Sequence, residues 1–153
     1  MALGDVTTYP DGSTKSIVLL ASVTATNSPP SGAAAGLAIS DISNLFNFMP
    51  SEAGLLLYST AGSGTMTCTA RLWGYHPIGD GMWFPLGTGS ASTKGTINAA
   101  STLDETAADK LRHLEPLALL GVAGSRLYLE ITAIGGTSTA VTAEIVVRRS
   151  YPQ

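Results

Sequence analysis

Residues 125–149 read SRLYLEITAIGGTSTAVTAEIVVRR and carry the strongest β-strand pattern of the chain. Apolar and β-branched residues alternate with polar ones on both sides of Gly135-Gly136-Thr137-Ser138, a sequence typical of a turn. We therefore expect a hairpin of two strands, Ser125–Ile134 and Thr139–Arg149. The side chains expected to face the core are Leu127, Leu129, Ile131, Ala133, Val141, Ala143, Ile145 and Val147.

Further strand patterns precede this pair. Ser16–Thr26 is apolar on both faces over Ile17–Leu20, which predicts burial by a second sheet on one side and by another element or subunit on the other. Gly54–Thr60 and Gly64–His76 are expected to be two strands joined by Ala61-Gly62-Ser63. In the second of these, the predicted inward residues are Met66, Cys68, Ala70 and Leu72.

The remaining elements are shorter. Met82–Leu86 is a predicted strand whose Pro85 favours a sheet edge, and Lys94–Ala99 is another strand. A short helical turn is expected to begin at Ser40 or Asp41 and to stop before Pro50. Thr102-Leu-Asp-Glu105 resembles a capping box and predicts a helix that continues to about His113 and ends before Pro116.

These elements predict an all-β protein. About eight strands without a βαβ rhythm favour an antiparallel β-sandwich, jelly-roll-like, with one short helix. Residues 1–13 are interpreted as an extended N-terminal arm, which ends in the turn Tyr9-Pro10-Asp11-Gly12. Residues 14–153 are interpreted as a single sandwich domain.

The composition is poor in charge. Only 12% of the 153 residues are charged while 44% are hydrophobic, whereas ordinary domains are about a quarter charged. Such a surface, rich in Thr, Ser, Gly and Ala, suits a molecule whose faces are covered by other protein. The net charge of −3 with scattered basic residues argues against a nucleic-acid partner.

Few residues suggest chemistry. A single cysteine, Cys68, excludes an intrachain disulfide and a Cys-based zinc site, and its strand pattern predicts a buried thiol. His76 and Asp80 allow a dyad in the turn between them, whereas His113 is expected at a helix end. We predict no catalytic residue, cofactor or metal. The apolar runs are too short for a membrane span and the start lacks a secretory pattern, so we expect no membrane partner and synthesis in the cytoplasm.

Two groups of residues are candidates for interaction. An aromatic group flanks the turn Pro77–Gly81 and is interpreted as a packing cluster or, alternatively, as a subunit contact or a sugar-stacking platform. The second group lies near the N-terminus, where an extended run either adds to a neighbour's sheet edge or stays disordered, and where an apolar strand calls for a partner surface. The candidates are Val6, Thr7, Tyr9, Ile17, Leu19, Trp73, Tyr75, Trp83 and Phe84.

The segments RLWGYH at 71–76, WFPLG at 83–87 and SRLYLEITAI at 125–134 resemble the small β-sandwich decoration, or cement, proteins of tailed bacteriophages. The resemblance lies in the residue composition: the strands are rich in Thr, Ala, Gly and Ser and contain almost no lysine. It implies a non-enzymatic homotrimer that binds the major capsid protein on the virion surface. Phage tail and fibre proteins share this composition, so the alternative is a carbohydrate- or receptor-binding sandwich that uses Trp73, Tyr75 and Trp83. A hydrolase built on His76 and Asp80 is a third hypothesis.

Overall fold

The structure, a computed structural model, describes residues 1–46, 53–87, 90, 92–100, 111–118 and 120–149. These residues form a mostly β fold whose strands pair antiparallel, which confirms the predicted all-β class. The elements in chain order are β1 Val6–Thr8, β2 Thr14–Val23, β3 Leu37–Ala38, α1 Ile39–Ser43, β4 Ala53–His76, β5 Met82–Pro85, β6 Thr96–Ala100, β7 Arg112–Pro116, a 3₁₀ turn Leu120–Val122 and β8 Arg126–Arg148.

Two long strands, β4 and β8, organise the sheet. They pair antiparallel along their lengths, from Ala53 opposite Val147 to Tyr75 opposite Arg126. The expected hairpin at residues 135–138 and the expected division of β4 at 61–63 are therefore both wrong. The two glycine-containing segments lie opposite each other, with Ser63 paired to Thr137, and the register shifts on both sides of this point. Because both strands are irregular at the same level, the glycines bend the ribbon and do not reverse it.

The bend curls one continuous sheet around a single core. The half that contains the start of β4 is flanked by β7, and by the end of β8 followed by β2 and β1. The other half carries β3 beside β8, and β5 and β6 beside β4. Side chains from both halves, such as Leu57 and Ile145 from one and Cys68 and Leu129 from the other, share one hydrophobic cluster. A sandwich of two separate sheets is not confirmed, since β4 and β8 run through both halves.

Most of the predicted inward side chains are buried. They include all four expected in β4, Met66, Cys68, Ala70 and Leu72, and seven of the eight expected in β8. Ala133 is the exception and is exposed. Thr69 pairs with Ala133 but Ala70 pairs with Ile131, so β8 holds an extra residue, Thr132, at this point. The bulge reverses the alternation, and Ile134 packs against the core in place of Ala133.

The N-terminal segment is extended as predicted, but it belongs to the chain's own sheet. β1 pairs antiparallel with β2, so residue 13 lies inside a hairpin and does not separate an arm from a domain. The Asp11 carboxylate accepts the backbone N–H groups of Ser13 and Thr14, each at 2.9 Å, and the Thr14 hydroxyl at 2.8 Å. The Thr14 hydroxyl and these two N–H groups lower the pKa of Asp11 and fix the turn.

The helical predictions have different outcomes. α1 confirms the short turn before Pro50, and it begins at Ile39. The helix predicted from Thr102 falls on residues 101–110, outside the described ranges. Its expected end at His113 is wrong, because β7 includes His113 and pairs it with Leu57 of β4. The shorter strand predictions are confirmed as β5, which ends at Pro85 on an edge, and as β6.

Candidate functional site

Eight large apolar side chains are exposed to solvent in the described part of the chain. Four of them lie around the hairpin formed by β4 and β5: Ile78, Met82, Phe84 and Val122, which are 67%, 54%, 42% and 59% exposed. We call these four residues the tip patch. The other large exposed apolar side chains in the described part of the chain are Met1, Leu3, Val6 and Leu114.

The tip patch is assembled by the hairpin and by the 3₁₀ turn. Ile78 lies in the turn, where its carbonyl accepts the Gly81 N–H at 3.1 Å. Met82 and Phe84 are two residues apart on β5 and therefore point to one face. Met82 lies opposite His76 of β4.

His76 connects the hairpin to the 3₁₀ turn. Its ring meets the Phe84 ring edge-on, with centroids 5.8 Å apart. Its Nε2 lies 2.9 Å from the carbonyl oxygen of Val122, within hydrogen-bonding distance. The imidazole thus links the backbone of Val122 to the ring of Phe84, so the 3₁₀ turn lies next to the hairpin.

The expected single aromatic cluster is divided between two faces of the sheet. Phe84 points to the tip patch, whereas its neighbour Trp83 points to the other face, where its ring lies 5.0 Å from Tyr75 and 6.0 Å from Tyr128 between centroids. Sequence reasoning missed Tyr128, because it becomes a neighbour of these rings only through the pairing of β8 with β4, where it lies opposite Trp73.

The face with Trp83 is covered by the chain's own loop 27–36. The Trp83 Nε1–H donates to the Gly32 carbonyl at 2.9 Å, and the Tyr128 hydroxyl donates to the Ser28 carbonyl at 2.8 Å. Arg126 donates to the carbonyls of Ala34, Ala35 and Gly36 in the same loop. These contacts support the packing interpretation for Trp83 and Tyr128.

The remaining aromatic candidates offer little free surface. Tyr75 is 9% exposed, so it is unavailable for sugar stacking. Trp73 is half-buried beneath the guanidinium of Arg71, which lies 4.8 Å from the ring centroid. Its Nε1–H is buried and has no hydrogen-bond partner within the described ranges.

The N-terminal candidates separate into buried and exposed residues. Ile17 and Leu19 are buried in the chain's own core, which corrects the expectation that they bind a partner. Burial on both faces of β2 is confirmed, since Val18 is also buried. Val6 and Thr7 are exposed on the edge strand, and Tyr9 is half-buried.

The chemical candidates are engaged in structural contacts. His76 approaches the Val122 carbonyl, and no hydrogen bond joins it to Asp80 in the part of the chain that is described. His113 Nε2 lies 2.8 Å from a Glu115 carboxylate oxygen within β7. Cys68 is buried as predicted, and burial raises the pKa of its thiol to about 11.

Within the described ranges, no three His, Cys, Asp or Glu residues are grouped as metal ligands. None of the helices in these ranges is long and apolar enough to cross a membrane.

A cleft of about 370 Å³ lies between residues 115–118 and the β5–β6 side of the sheet. Its walls are mostly apolar, and among the lining residues that the structure describes Glu115 is the ionisable one; its carboxylate also contacts His113. The lining residues are Leu72, Leu86, Gly87, Gly95, Thr96, Ile97, Glu115, Pro116, Leu117 and Ala118.

Comparison with known proteins gives no match: no protein-family model, no curated protein sequence and no solved structure matches this chain.

Proposed function

We propose that this chain is a non-enzymatic structural protein of a phage virion. In this proposal it forms a homotrimer that binds the major capsid protein on the outer capsid surface and stabilises the shell. The observation that carries the proposal is the tip patch, four exposed apolar side chains around one hairpin of a chain whose ionisable residues are few.

The chemistry of the tip patch suits contact with protein. Between His76 and Pro85, Asp80 is the only residue that carries a full charge at neutral pH. Covering this surface therefore removes apolar area from water while few charged groups lose their hydration. Large contiguous apolar patches mark protein–protein contacts in soluble proteins, and we interpret the four side chains of the tip patch as such a surface.

We assign the tip patch to the contact between copies in the trimer. Three hairpin tips that meet at a three-fold axis would bury Ile78, Met82, Phe84 and Val122 against their equivalents. The number three comes from the resemblance to decoration proteins. A trimer also turns a weak capsid contact into firm attachment, because the second and third contacts form at high effective concentration.

The capsid role is tested with purified protein and undecorated phage shells. We expect saturable co-sedimentation with the shells and a rise in the temperature at which they rupture. An unrelated protein of similar size and charge is the control. Shells that neither bind the protein nor change their rupture temperature would remove the capsid assignment. A glycan array tests the carbohydrate alternative, and we expect no binding on it.

A further inference from the structure

The free edge of β1 is a second uncovered surface. Among the strands that the structure describes, β1 is the last on its side of the sheet, and all three of its residues are exposed. Its sequence, Val6-Thr7-Thr8, consists of β-branched residues without charge or proline. Edge strands in natural proteins are usually protected by short length, charges, prolines or bulges; β1 is short, but its three residues carry no charge or proline and its pairing with β2 has no bulge.

The hydrogen bonds of β1 to β2 establish which backbone groups are free. The Tyr9 N–H donates to the Thr14 carbonyl at 3.0 Å, and the Val18 N–H donates to the Asp5 carbonyl at 2.9 Å. Since backbone groups alternate sides along an antiparallel strand, Asp5, Thr7 and Tyr9 face β2. The N–H and C=O groups of Val6 and Thr8 therefore point away from the sheet.

The other edge at the tip differs from β1. The Leu86 N–H donates to the Leu72 carbonyl at 2.8 Å, so in β5 the backbone groups of Phe84 and Met82 also face β4. The outward positions are Trp83 and Pro85, and Pro85 has no N–H to donate. The outward edge of β5 therefore lacks one N–H donor for another strand, whereas both outward residues of β1, Val6 and Thr8, present an N–H and a C=O group.

We propose that the β1 edge pairs with the β1 edge of a second copy, antiparallel about a two-fold axis at Thr7. In this register Val6 of each copy lies opposite Thr8 of the other. Each such pair exchanges both of its outward N–H···O=C hydrogen bonds, so every free donor and acceptor of Val6 and Thr8 is satisfied. The occupant is another copy because the edge is complementary to itself in this register.

Charge and side chains are compatible with the pairing. Asp5 of one copy falls opposite Tyr9 of the other, so the two Asp5 carboxylates are not apposed. Each Asp5 carboxylate already accepts the Ala2 N–H at 2.7 Å. Val6, 51% exposed in the single chain, would be covered by Thr8 and diagonally by Val6 of the second copy.

This two-fold contact is separate from the three-fold contact at the tip patch, and it does not rest on the proposed function. A contact between two short strands is small, so it is expected to be weak for free chains. In a layer of trimers, the same contact would join neighbouring trimers in pairs.

Amide hydrogen exchange, resolved by residue and measured over a wide range of protein concentration, tests the pairing. We expect the Val6 and Thr8 amides to exchange at least about tenfold more slowly once dimers predominate. The Thr7 and Tyr9 amides, which face β2, should be protected at every concentration. Concentration-independent exchange at Val6 and Thr8 would overturn the proposal.

Variants at the edge sharpen this test. Thr8→Pro removes one outward N–H and leaves the bonds to β2 in place, so the slowing at Val6 should disappear. Val6→Lys places two like charges diagonally across the contact and removes the apolar side chain that the second copy would cover, so it should reduce the slowing. Thr8→Val keeps the N–H and the β-branched shape and should retain the slowing. Slowing that persists in both Thr8→Pro and Val6→Lys would contradict the proposed register.

The same exchange experiment on the double variant Ile78→Ser with Val122→Ser, whose β1 edge is wild type, separates the edge contact from the tip-patch contact. If the tip patch forms the trimer and the edge pairs as proposed, this chain loses trimers but still forms dimers. If wild-type protein shows no trimer, the proposed function loses its support while edge pairing is still measured on its own. Loss of the Val6 and Thr8 slowing in this chain would refute an independent edge contact.

Discussion

The tip patch can be removed without disturbing the core. Ile78 and Val122 lie in a turn and in a 3₁₀ segment, and they are 67% and 59% exposed. We consider the double variant Ile78→Ser with Val122→Ser. Substitutions at such exposed positions usually change the free energy of unfolding by less than about 0.5 kcal/mol, so the variant should fold normally.

The expected effect on assembly follows from the exposed fractions. Full burial of an aliphatic side chain contributes about 1.5–3 kcal/mol, and somewhat more than half of each of these side chains is available to be covered by a partner. The two side chains together thus contribute about 2 kcal/mol per subunit to the contact. Because 1.4 kcal/mol corresponds to tenfold, each subunit should be held about thirtyfold more weakly.

Sedimentation velocity over a dilution series measures this change. The wild-type trimer should persist to protein concentrations at which the double variant is already dissociated. Leu114→Ser is the matched control, because Leu114 is 63% exposed but lies on β7, away from the hairpin tip. Equal dissociation of the wild type and the double variant, or an equal loss in Leu114→Ser, would refute the assignment of the contact to the tip patch.

Three further predictions concern the fold. In urea titrations, Gly124→Ala should lower the free energy of unfolding by about 2 kcal/mol more than Gly79→Ala. Both glycines have positive φ, but a Cβ at Gly124 would meet the backbone of β4, whereas a Cβ at Gly79 would meet open space. Equal losses of stability in the two variants would contradict this prediction. Burial, and then the Glu144 carboxylate that accepts its hydroxyl at 2.8 Å, raise the pKa of Tyr58 from 10.0 to about 12. Because the folded state favours the protonated hydroxyl, the contribution of Tyr58 to the free energy of unfolding should be complete below pH 10 and should be lost as the pH rises toward 12. In Tyr58→Phe, the free energy of unfolding should fall less over this pH range. An equal fall in the variant and the wild type would argue against the contact with Glu144. The Cys68 thiol should react with a thiol reagent only in unfolded protein, and rapid labelling in native buffer would contradict its burial.

The local patterns of the sequence predicted much of the fold. Alternation identified the inward side of β4 from Met66 to Leu72 and most of the inward side of β8, because side-chain period is a property of the strand itself. The Pro85 edge was predicted for the same kind of reason, since a missing N–H acts locally.

The connections between strands were not predictable in this way. Gly135-Gly136 is equally compatible with a turn and with a bend in a continuous strand, and only the opposing irregularity near Ser63 in β4 decides between them. The bulge at Thr132 depends on the same long-range pairing. His113 was assigned to a helix end from the capping-box pattern at Thr102–Glu105 and from the charge order, but pairing with β4 overrode both signals.

The candidate site shows the same limit. Phe84 was identified as a candidate interaction residue, but it was grouped with Trp83 because the two are adjacent in the chain. Adjacent residues of a strand point to opposite faces, so the two rings lie on different sides of β5. Ile78, Met82 and Val122 were missed, and Val122 comes near the hairpin through the contact of its carbonyl with His76. The exposed apolar residues next to the Pro77–Gly81 turn were the available signal.

The most direct test of the account is the absolute mass of the wild-type protein in solution, measured by light scattering. If the charge-poor exterior and the exposed hairpin tip exist to contact other copies, the mass should be three times the 15.7 kDa of one chain. A mass of one chain, unchanged up to the highest soluble concentration, would contradict the claim that this protein acts by assembly.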